Sequence, residues 1–453
     1  MEGEKEMKEV NLTEGSVLKN VLRFSLPYLL TCFLQTFYGL ADLFITGQFN
    51  GASTITAVSI GSQIMHMLTV VIVGLSMGTT VLIGHAVGKK ENQDIKKTIG
   101  NTVILFLISG LILTILLLGC CDGIVKVLST PVEAIQETKN YLYVCFVGIL
   151  FITFYNVISS IFRGLGDSRT PMVFIAISGI INIGLDYILI GPLGMKAFGA
   201  ALATVIAQAL SVIMAYIYAR RNSELFKLNK TDLMIEKQIM SDMIKVGFPI
   251  AAQNGFIQVS FLVITTIANQ RGVEIAAAVG IVEKVISFLF LVPNAMMSSV
   301  SAIAAQNAGA GKHERSRLTL YYGIGIGVVS GIFFTILCQF KAESIVAIFA
   351  GKEEQVIHYG GQYLRSYVTD CIAASFHFCF SGYFCAYEKA YLSFVHNVIS
   401  ILVIRIPGAY LASVYFPHTL FPMGLAAPLG SVLSAIICIL AFLYLNKKKQ
   451  LLN

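Results

Sequence analysis

Ionisable residues are scarce in the apolar stretches of this 453-residue chain, and two of the few are aspartates. Asp42 stands in "LQTFYGLADLFITG" and Asp186 in "INIGLDYILIGP". At helical spacing Asp42 shares a face with Tyr38 and Gln35, four and seven residues back, and Asp186 with Asn182 one turn earlier. The apolar stretch that starts near Ala197 adds Thr204. Asp42 is five residues from Gly47 and Asp186 five from Gly191, or about 7.5 Å of helix each, and Thr204 is seven from Ala197, about 10 Å. At this common depth Tyr38, Asp42, Asn182, Asp186 and Thr204 can converge as one oxygen-rich cluster. Two carboxylates in a partly dry cavity resist double ionisation and favour holding a proton. The same oxygens can instead surround Na+, at Asp42, Asn182, Asp186 and Thr204. Spacing leaves proton and sodium both open.

Other residues invite chemistry less strongly. Glu283, Lys284 and Arg405 are charges inside apolar stretches, and a structural pair between Glu283 and Arg405 is the expectation. His377 and His396 read as packed histidines. "GLSMG", Gly74 to Gly78, fits a GxSxG nucleophile pattern, but that motif needs a strand-to-helix elbow with His and acid partners. Here it lies in a continuous apolar stretch, where two glycines four apart permit close helix packing. No HExxH occurs. Nine cysteines form no CxxC pair, and adjacent Cys120 and Cys121 suit neither zinc nor an ordinary disulfide.

The elements that must position the acids follow from composition. The chain is 56% hydrophobic and only 13% charged, with a mean hydropathy of +0.76, whereas soluble domains carry roughly 25% charged residues. An ordinary soluble enzyme is excluded. Apolar runs of about 20 residues, enough to cross a bilayer, recur over 21–46, 54–86, 96–119, 138–162, 171–190, 197–218, 244–269, 275–307, 317–340, 359–386, 391–415 and 422–446. The expected fold is an all-α membrane protein of twelve transmembrane helices, with a tail at 1–20 and another at 447–453. Glu2, Glu4, Glu6 and Glu9 mixed with Lys5 and Lys8 argue against a cleavable signal. Trp is absent, so 19 Tyr and 30 Phe must supply the interfacial and packing aromatics.

Charge placement orients the spans. Of 32 Lys and Arg, 23 fall in both tails and the even-numbered connectors, including Lys89, Lys90, Arg220, Arg221 and Lys447 to Lys449. Seven fall in the odd-numbered connectors and their margins: Lys126, Lys139, Lys196, Arg271, Lys341, Lys352 and Arg365. Both termini should face the cytoplasm, in the cell membrane. The net charge of +7 is then a topology signal and no sign of nucleic-acid binding.

The polar segment at 220–243 separates six spans, 21–219, from six more, 244–446. Sliding one half over the other by about 222 residues brings Pro27 onto Pro249, "AVSIGSQI" onto "AVGIVEKV" with a one-residue slip, "VGKKE" onto "AGKHE" and "FRGLGDSRT" onto "FCAYEKAYL". Six spans per half make the repeat parallel, two pseudo-symmetric six-helix lobes joined by a cytoplasmic linker, an architecture of transporters. Pro27 and Pro249 would each kink the first helix of a lobe. At this offset Asp42 falls on Ile264 and Asp186 on Gly408, so the acids belong to the first half alone.

With these residues the chain resembles the multidrug and toxic compound extrusion (MATE) family of secondary transporters. The resemblance covers nearly the whole chain and is strongest in "LPYLLTCFLQTFYGLADLFITGQF", "GLSMGTTVLIGHAVGKKE", "FRGLGDSRTPM", "INIGLDYILIGPLGMKAFGAALATVIAQ" and "AQNAGAGKHE". It implies a V-shaped pair of lobes exporting organic cations or amphipathic compounds in exchange for H+ or Na+, with no cofactor and as a monomer. In the branch with its ion site in the amino-terminal lobe, the site residues match Tyr38, Asp42, Asn182, Asp186 and Thr204, and the bending proline matches Pro27. Other branches use a seventh-helix Glu and a tenth-helix Asp. Here Ile257 and Gln258 occupy the former neighbourhood, and Asp370 stands near the expected start of its helix. Gln35, Tyr38 and Asn156 are the expected substrate contacts, with adaptable Phe, Met and Tyr side chains around them. A flippase for lipids or lipid-linked oligosaccharides is the alternative; it would want a cationic cavity, for which only Lys284, Arg405 and Arg365 are at hand.

Overall fold

A computed structural model describes residues 11–128, 130–351 and 353–448, which leaves Glu2, Glu4, Lys5, Glu6, Lys8, Glu9, Lys352 and Lys449 of the charge reading outside the described residues. Among the described residues the first half runs α1 (Val17–Phe49), α2 (Ala52–Lys89), α3 (Asn92–Val127), α4 (Ile135–Val147), α5 (Ile149–Gly164), α6 (Arg169–Ile190) and α7 (Lys196–Asn222). The second half runs α8 (Lys237–Asn269), α9 (Val273–Leu289), α10 (Leu291–Gly309), α11 (His313–Ala350), α12 (Glu354–Tyr367), α13 (Asp370–Ala386), α14 (Tyr391–Ser400), α15 (Ile406–Tyr415) and α16 (Phe421–Lys447). Pairing α4 with α5, α9 with α10, α12 with α13 and α14 with α15 recovers the twelve expected passes.

Ten passes are single, or nearly unbroken, helices long and apolar enough to cross a membrane, and the α4–α5 pair, bent by 48°, makes eleven. The remaining pass, α12 with α13, is not among them; it contains His358, Gln362, Arg365 and Asp370. Its polarity needs protein or water around it, because hydrocarbon offers ionised groups no partner.

The breaks have local causes. Pro293, in the first turn of α10, has no N–H, and its ring would clash with the carbonyl of Leu289, so the helix restarts at Leu291. Pro407 acts likewise on Val403, and the chain passes it by a π-helical turn, Ile401–Arg405. At Gly148 a Cβ would run into the Val205 side chain of α7, so the bend between α4 and α5 sits at a close helix approach.

The helix bounds obey the repeat. Adding 222 to the first residues of α3 and α6 gives 314 and 391, against His313 and Tyr391 observed for α11 and α14. The broken fourth pass recurs too, since Gly148 maps to 370 and the second break lies at Val368 and Thr369.

The described residues divide into two compact units, one comprising Leu26–Ile244 with Asn11, the other Leu12–Ser25 with the chain from Lys245 onward. Two of the three changes of unit occur inside helices, just before Pro27 in α1 and shortly before Pro249 in α8. Residues 1–20, expected to be a tail, are therefore partly built into the second unit. The Leu12 N–H donates to Gln306 Oε1 at 3.3 Å, Lys312 Nζ donates to the Thr13 carbonyl at 3.0 Å, and Arg315 donates to the carbonyls of Gly15 and Glu14 at 2.9 and 3.1 Å. The linker is held as firmly to the first unit. Asn101, fully buried in α3, donates to the Met234 carbonyl at 3.1 Å and accepts from the Glu236 N–H at 2.8 Å, while Lys97 pairs with Glu236 at 2.9 Å.

Each unit has its own core. Val58, Met65, Tyr141, Phe146 and Ile190 belong to one cluster of the first unit, and Val279, Val282, Tyr363, Leu364 and Met423 to that of the second. Glycine sets two close approaches: a Cβ at Gly78 would strike the Met243 carbonyl, and one at Gly382 the Met297 carbonyl. Backbone cannot yield as a flexible side chain can. Gly78→Ala and Gly382→Ala should each destabilise by about 1–3 kcal/mol, read as a lower melting temperature of the detergent-solubilised protein. Unchanged melting of both variants would refute this packing.

Candidate functional site

In the first unit α1, α6 and α7 bring the acids together. Asp42 is 3% exposed and Asp186 0%, although both are carboxylates. They act on each other at close range, and Asn182 and Thr204 flank Asp42. Thr204 Oγ1 donates toward Asp42 Oδ2 at 3.4 Å and also reaches the Ala200 carbonyl at 3.1 Å, so its hydroxyl is shared between the cluster and its own helix. Tyr38 is near enough to feel Asp42, and its phenol oxygen accepts from Gln208 Nε2 at 3.1 Å. Of the five residues expected to converge, the two acids meet with Asn182 and Thr204 beside them, and Tyr38 stands at the edge of the group.

Unsatisfied polar atoms mark this site. Asp42 Oδ1, both Asp186 oxygens, both Asn182 amide atoms and Gln208 Oε1 are buried without a well-formed hydrogen bond, although Asp42 lies within reach of Asp186 and Asn182. Buried polar groups are nearly always paired, and each orphan costs about 1–3 kcal/mol. So many in one place describe a socket whose partner is a ligand. Carboxylate, amide and hydroxyl oxygens are hard donors suited to a proton or a hard cation. The neighbouring helices are fixed firmly enough to hold the cluster: Ser178 of α6 donates to the Ala207 carbonyl of α7 at 2.8 Å, and Thr46 of α1 donates to the Asp42 carbonyl at 2.7 Å.

Two members escaped the sequence reading. Gln208 stands four residues after Thr204, so helical spacing in α7 could have found it. Tyr141 of α4, buried and near enough to feel both carboxylates, has no such signal, because α4 packs on α7 only in the folded unit.

Other expectations fare differently. Asn156 is buried and its amide donates to the Ile152 carbonyl of its own helix at 2.8 Å. Gln35 is half-buried and makes no hydrogen bond among the described residues. Pro27 lies inside α1, where Thr31 donates to the Pro27 carbonyl at 3.0 Å. The expected Glu283–Arg405 pair does not form: Arg405 donates to Tyr367 Oη at 2.6 Å and stacks 4.9 Å over the Phe261 ring, while Glu283 accepts from Thr265 at 3.1 and 3.3 Å. Each charge has a nearer hydrogen-bond partner, although the two still act on each other through space, as Asp370 does on Arg405. Asp370 opens α13, at a helix start as expected, with α12 of the same pass running before it from Glu354 to Tyr367. His396 shares a hydrogen bond with Ser381 at 3.1 Å and packs 5.5 Å from His377.

The second unit fills the same positions with apolar matter. At the 222-residue offset Asp42, Asp186 and Thr204 map to Ile264, Gly408 and Ala426. Ile264 and Ala426 belong to the core cluster, and a Cβ on Gly408 would come 3.3 Å from Ala426. No socket exists there.

A body of twelve helical passes in two related units, one of them holding a buried and incompletely partnered acid pair, is that of a multi-pass membrane transport protein. The chain belongs to the MatE family, which matches residues 27–188 and 249–411, one segment in each copy of the repeat. It is 24% identical over 448 residues to the probable multidrug resistance protein YoeA of Bacillus subtilis, covering 97% of this chain and 96% of that one. It is 27% identical over 331 residues to the probable multidrug resistance protein NorM of Thermotoga maritima, 70% of each chain. Among solved structures, an outward-facing conformation of a multidrug resistance MATE family transporter superposes with a TM-score of 0.90 at 21% identity, over 99% of both chains. A MATE protein in the bent conformation gives 0.89 at 22% identity, again over 99% of both.

An unpaired buried carboxylate destabilises its own fold, and neutralising it relieves that cost. Asp186→Asn should therefore melt no lower than the unmodified protein. A fall of several degrees in detergent would show that the Asp186 carboxylate is held by protein partners after all.

Proposed function

We propose that the protein is a secondary active exporter of organic cations and amphipathic compounds, driven by exchange for protons or sodium at the Asp42–Asp186 cluster. The observation that carries this reading is the set of buried, unpartnered oxygens on two carboxylates in one membrane-embedded unit. A group so placed has different affinity for a positive ion when its surroundings dry or open, which is the differential affinity that coupling requires. The similarity to proteins named for multidrug resistance and export supports the same cargo class. Gln35 and Tyr38 remain the proposed contacts on α1, with Asn156 on α5. Both termini face the cytoplasm in this proposal, and the exporter works as a monomer.

A flippase reading is less favoured by the side chains. Arg405 is occupied by Tyr367 and Phe261, and Arg365 pairs with Glu343 at 3.1 Å, so two of three candidate phosphate-binding cations are already engaged.

Reconstituted vesicles with an imposed proton or sodium gradient and a fluorescent organic cation test the proposal. The gradient that drives accumulation identifies the ion, and Asp42→Asn or Asp186→Asn should abolish driven transport, with at least a tenfold loss of initial rate. Full gradient-driven transport by both variants would sink the assignment, and movement of a lipid-linked glycan without movement of the cation would favour the flippase.

A further inference from the structure

Lys284 is the charge that the cluster, the core and the connectors leave unexplained. It lies eleven residues into α9, about 17 Å along the helix from Val273. A bilayer's hydrocarbon layer is about 30 Å thick, so an ammonium at that depth is costly against lipid. Yet Lys284 is exposed, and no ion pair involves it among the described residues. Its neighbour Glu283 accepts hydrogen bonds from Thr265, and adjacent helical residues point in different directions.

What α9 shows to the outside tells which medium it meets. Ile275, Ala278, Val279, Val282 and Ile286 form its buried face, whereas Ala277, Lys284 and Ser287 are exposed. Between Glu274 and Arg317 no large hydrophobic side chain is exposed. The next pass, α11, bears a different outer surface: Val329, Phe333, Ile336 and Phe340 are 54% to 80% exposed. That is a surface for lipid. Beyond its first turn the open face of α9 carries Ala277, Lys284 and Ser287 with Ile281, Val285 and Phe288 half-buried beside them, and an unpaired lysine at that depth turns the face to water.

The repeat supplies an independent sign. Through the aligned segments "AVSIGSQI" and "AVGIVEKV", Lys284 corresponds to Gln63 of α2. Gln63 is also exposed, as is His66 one turn on, and Met67 is the one exposed large hydrophobic from Ala52 to Lys89. In each unit, considered separately, the second pass opens a polar face at this position. Only in the second unit is that face charged.

We propose that Lys284 is a specificity-determining residue that receives a carboxylate of the transported compound, so that this chain binds cargo bearing the anion more tightly than the same cargo without it. The inference rests on the exporter reading and deepens it. A hydrated ammonium loses little by exchanging water for a carboxylate, and the charge-assisted bond it gains adds affinity only for cargo that has the anion. The coupling acids and the cargo-binding cation then occupy different units, so an ion at Asp42 and Asp186 does not compete with the cargo's anionic group for Lys284.

A matched pair of xanthylium dyes tests this: one with a free carboxylate, the other its methyl ester. Fluorescence anisotropy with the solubilised full-length protein measures binding without any requirement for transport. Lys284→Gln should weaken the carboxylate dye about tenfold or more and leave the ester within about twofold, while Lys284→Arg should restore the carboxylate dye. Equal loss of both dyes would assign Lys284 a structural role and overturn the proposal, as would no loss of either, or a failure of the unmodified protein to bind the free carboxylate. Gradient-driven transport of the ester, measured separately in vesicles, decides the exporter reading, so the two can fail independently.

Discussion

Placing a carboxylate in a dry interior costs several kcal/mol even after relaxation, and placing two side by side adds their repulsion. The first unit accepts this cost at Asp42 and Asp186, and the surrounding structure is arranged to make it tolerable. Three helices contribute polar groups at one depth, while Gln208 and Tyr141 extend the polar environment beyond the five residues that spacing alone suggests. The cluster still falls short of satisfying itself, with oxygens left over on both acids. A fold can tolerate such a deficit when the missing partner arrives in the working cycle. A complete network would be a structural device with no reason to exchange anything.

The mobility that exchange demands has to come from elsewhere than the packed helices. Interiors at crystal-like density do not deform smoothly, and they shift between discrete arrangements. Pro27 and Pro249 interrupt the hydrogen-bond ladders of α1 and α8 close to where the chain passes from one unit to the other. Fifteen residues separate Pro27 from Asp42, so an event at the acid and a change of helix direction at the proline belong to a single element. The firm anchoring of Leu12–Gly15 on the second unit, and of 232–236 on the first, gives each first helix a fixed starting point against which it can bend.

The legible parts of this molecule were those governed by one-dimensional rules. Hydropathy and charge predicted the passes, and the shared offset of short segments predicted a repeat that helix bounds obey to within a few residues. Depth counted along helices brought Asp42, Asp186, Asn182 and Thr204 together, because in a membrane the bilayer aligns every pass to common levels. What escaped depends on rotation about helix axes and on side-chain reach, which the bilayer does not set. Arg405 donates to Tyr367 and stacks on Phe261 instead of pairing with Glu283, and Tyr141 comes within range of both acids from α4, a helix that carries no spacing signal toward them. The transfer of Leu12–Ser25 to the second unit left no compositional trace, since either unit could bury the same apolar turn.

The two units also show how a duplicated frame can divide labour. Backbone placement is retained, yet the site equivalent to Asp42, Asp186 and Thr204 has become Ile264, Gly408 and Ala426, and the space closes where Gly408 approaches Ala426. Such a change is favourable locally, because it replaces unpaired carboxylates by packed hydrocarbon, a substitution that commonly stabilises buried ionic sites. The same change made in the first unit would remove the affinity for a positive ion along with the strain. Retaining the acids in one copy only keeps a single ion-responsive element and lets the other serve as a rigid counterpart. The other charges of the second unit are placed differently: Glu283 accepts from Thr265, Arg405 donates to Tyr367 and acts on the buried Asp370, and Lys284 faces water. Asymmetry of side chains on a symmetric frame thus separates what binds the driving ion from what meets the cargo, and a coupled exchanger needs those two affinities to be adjusted independently.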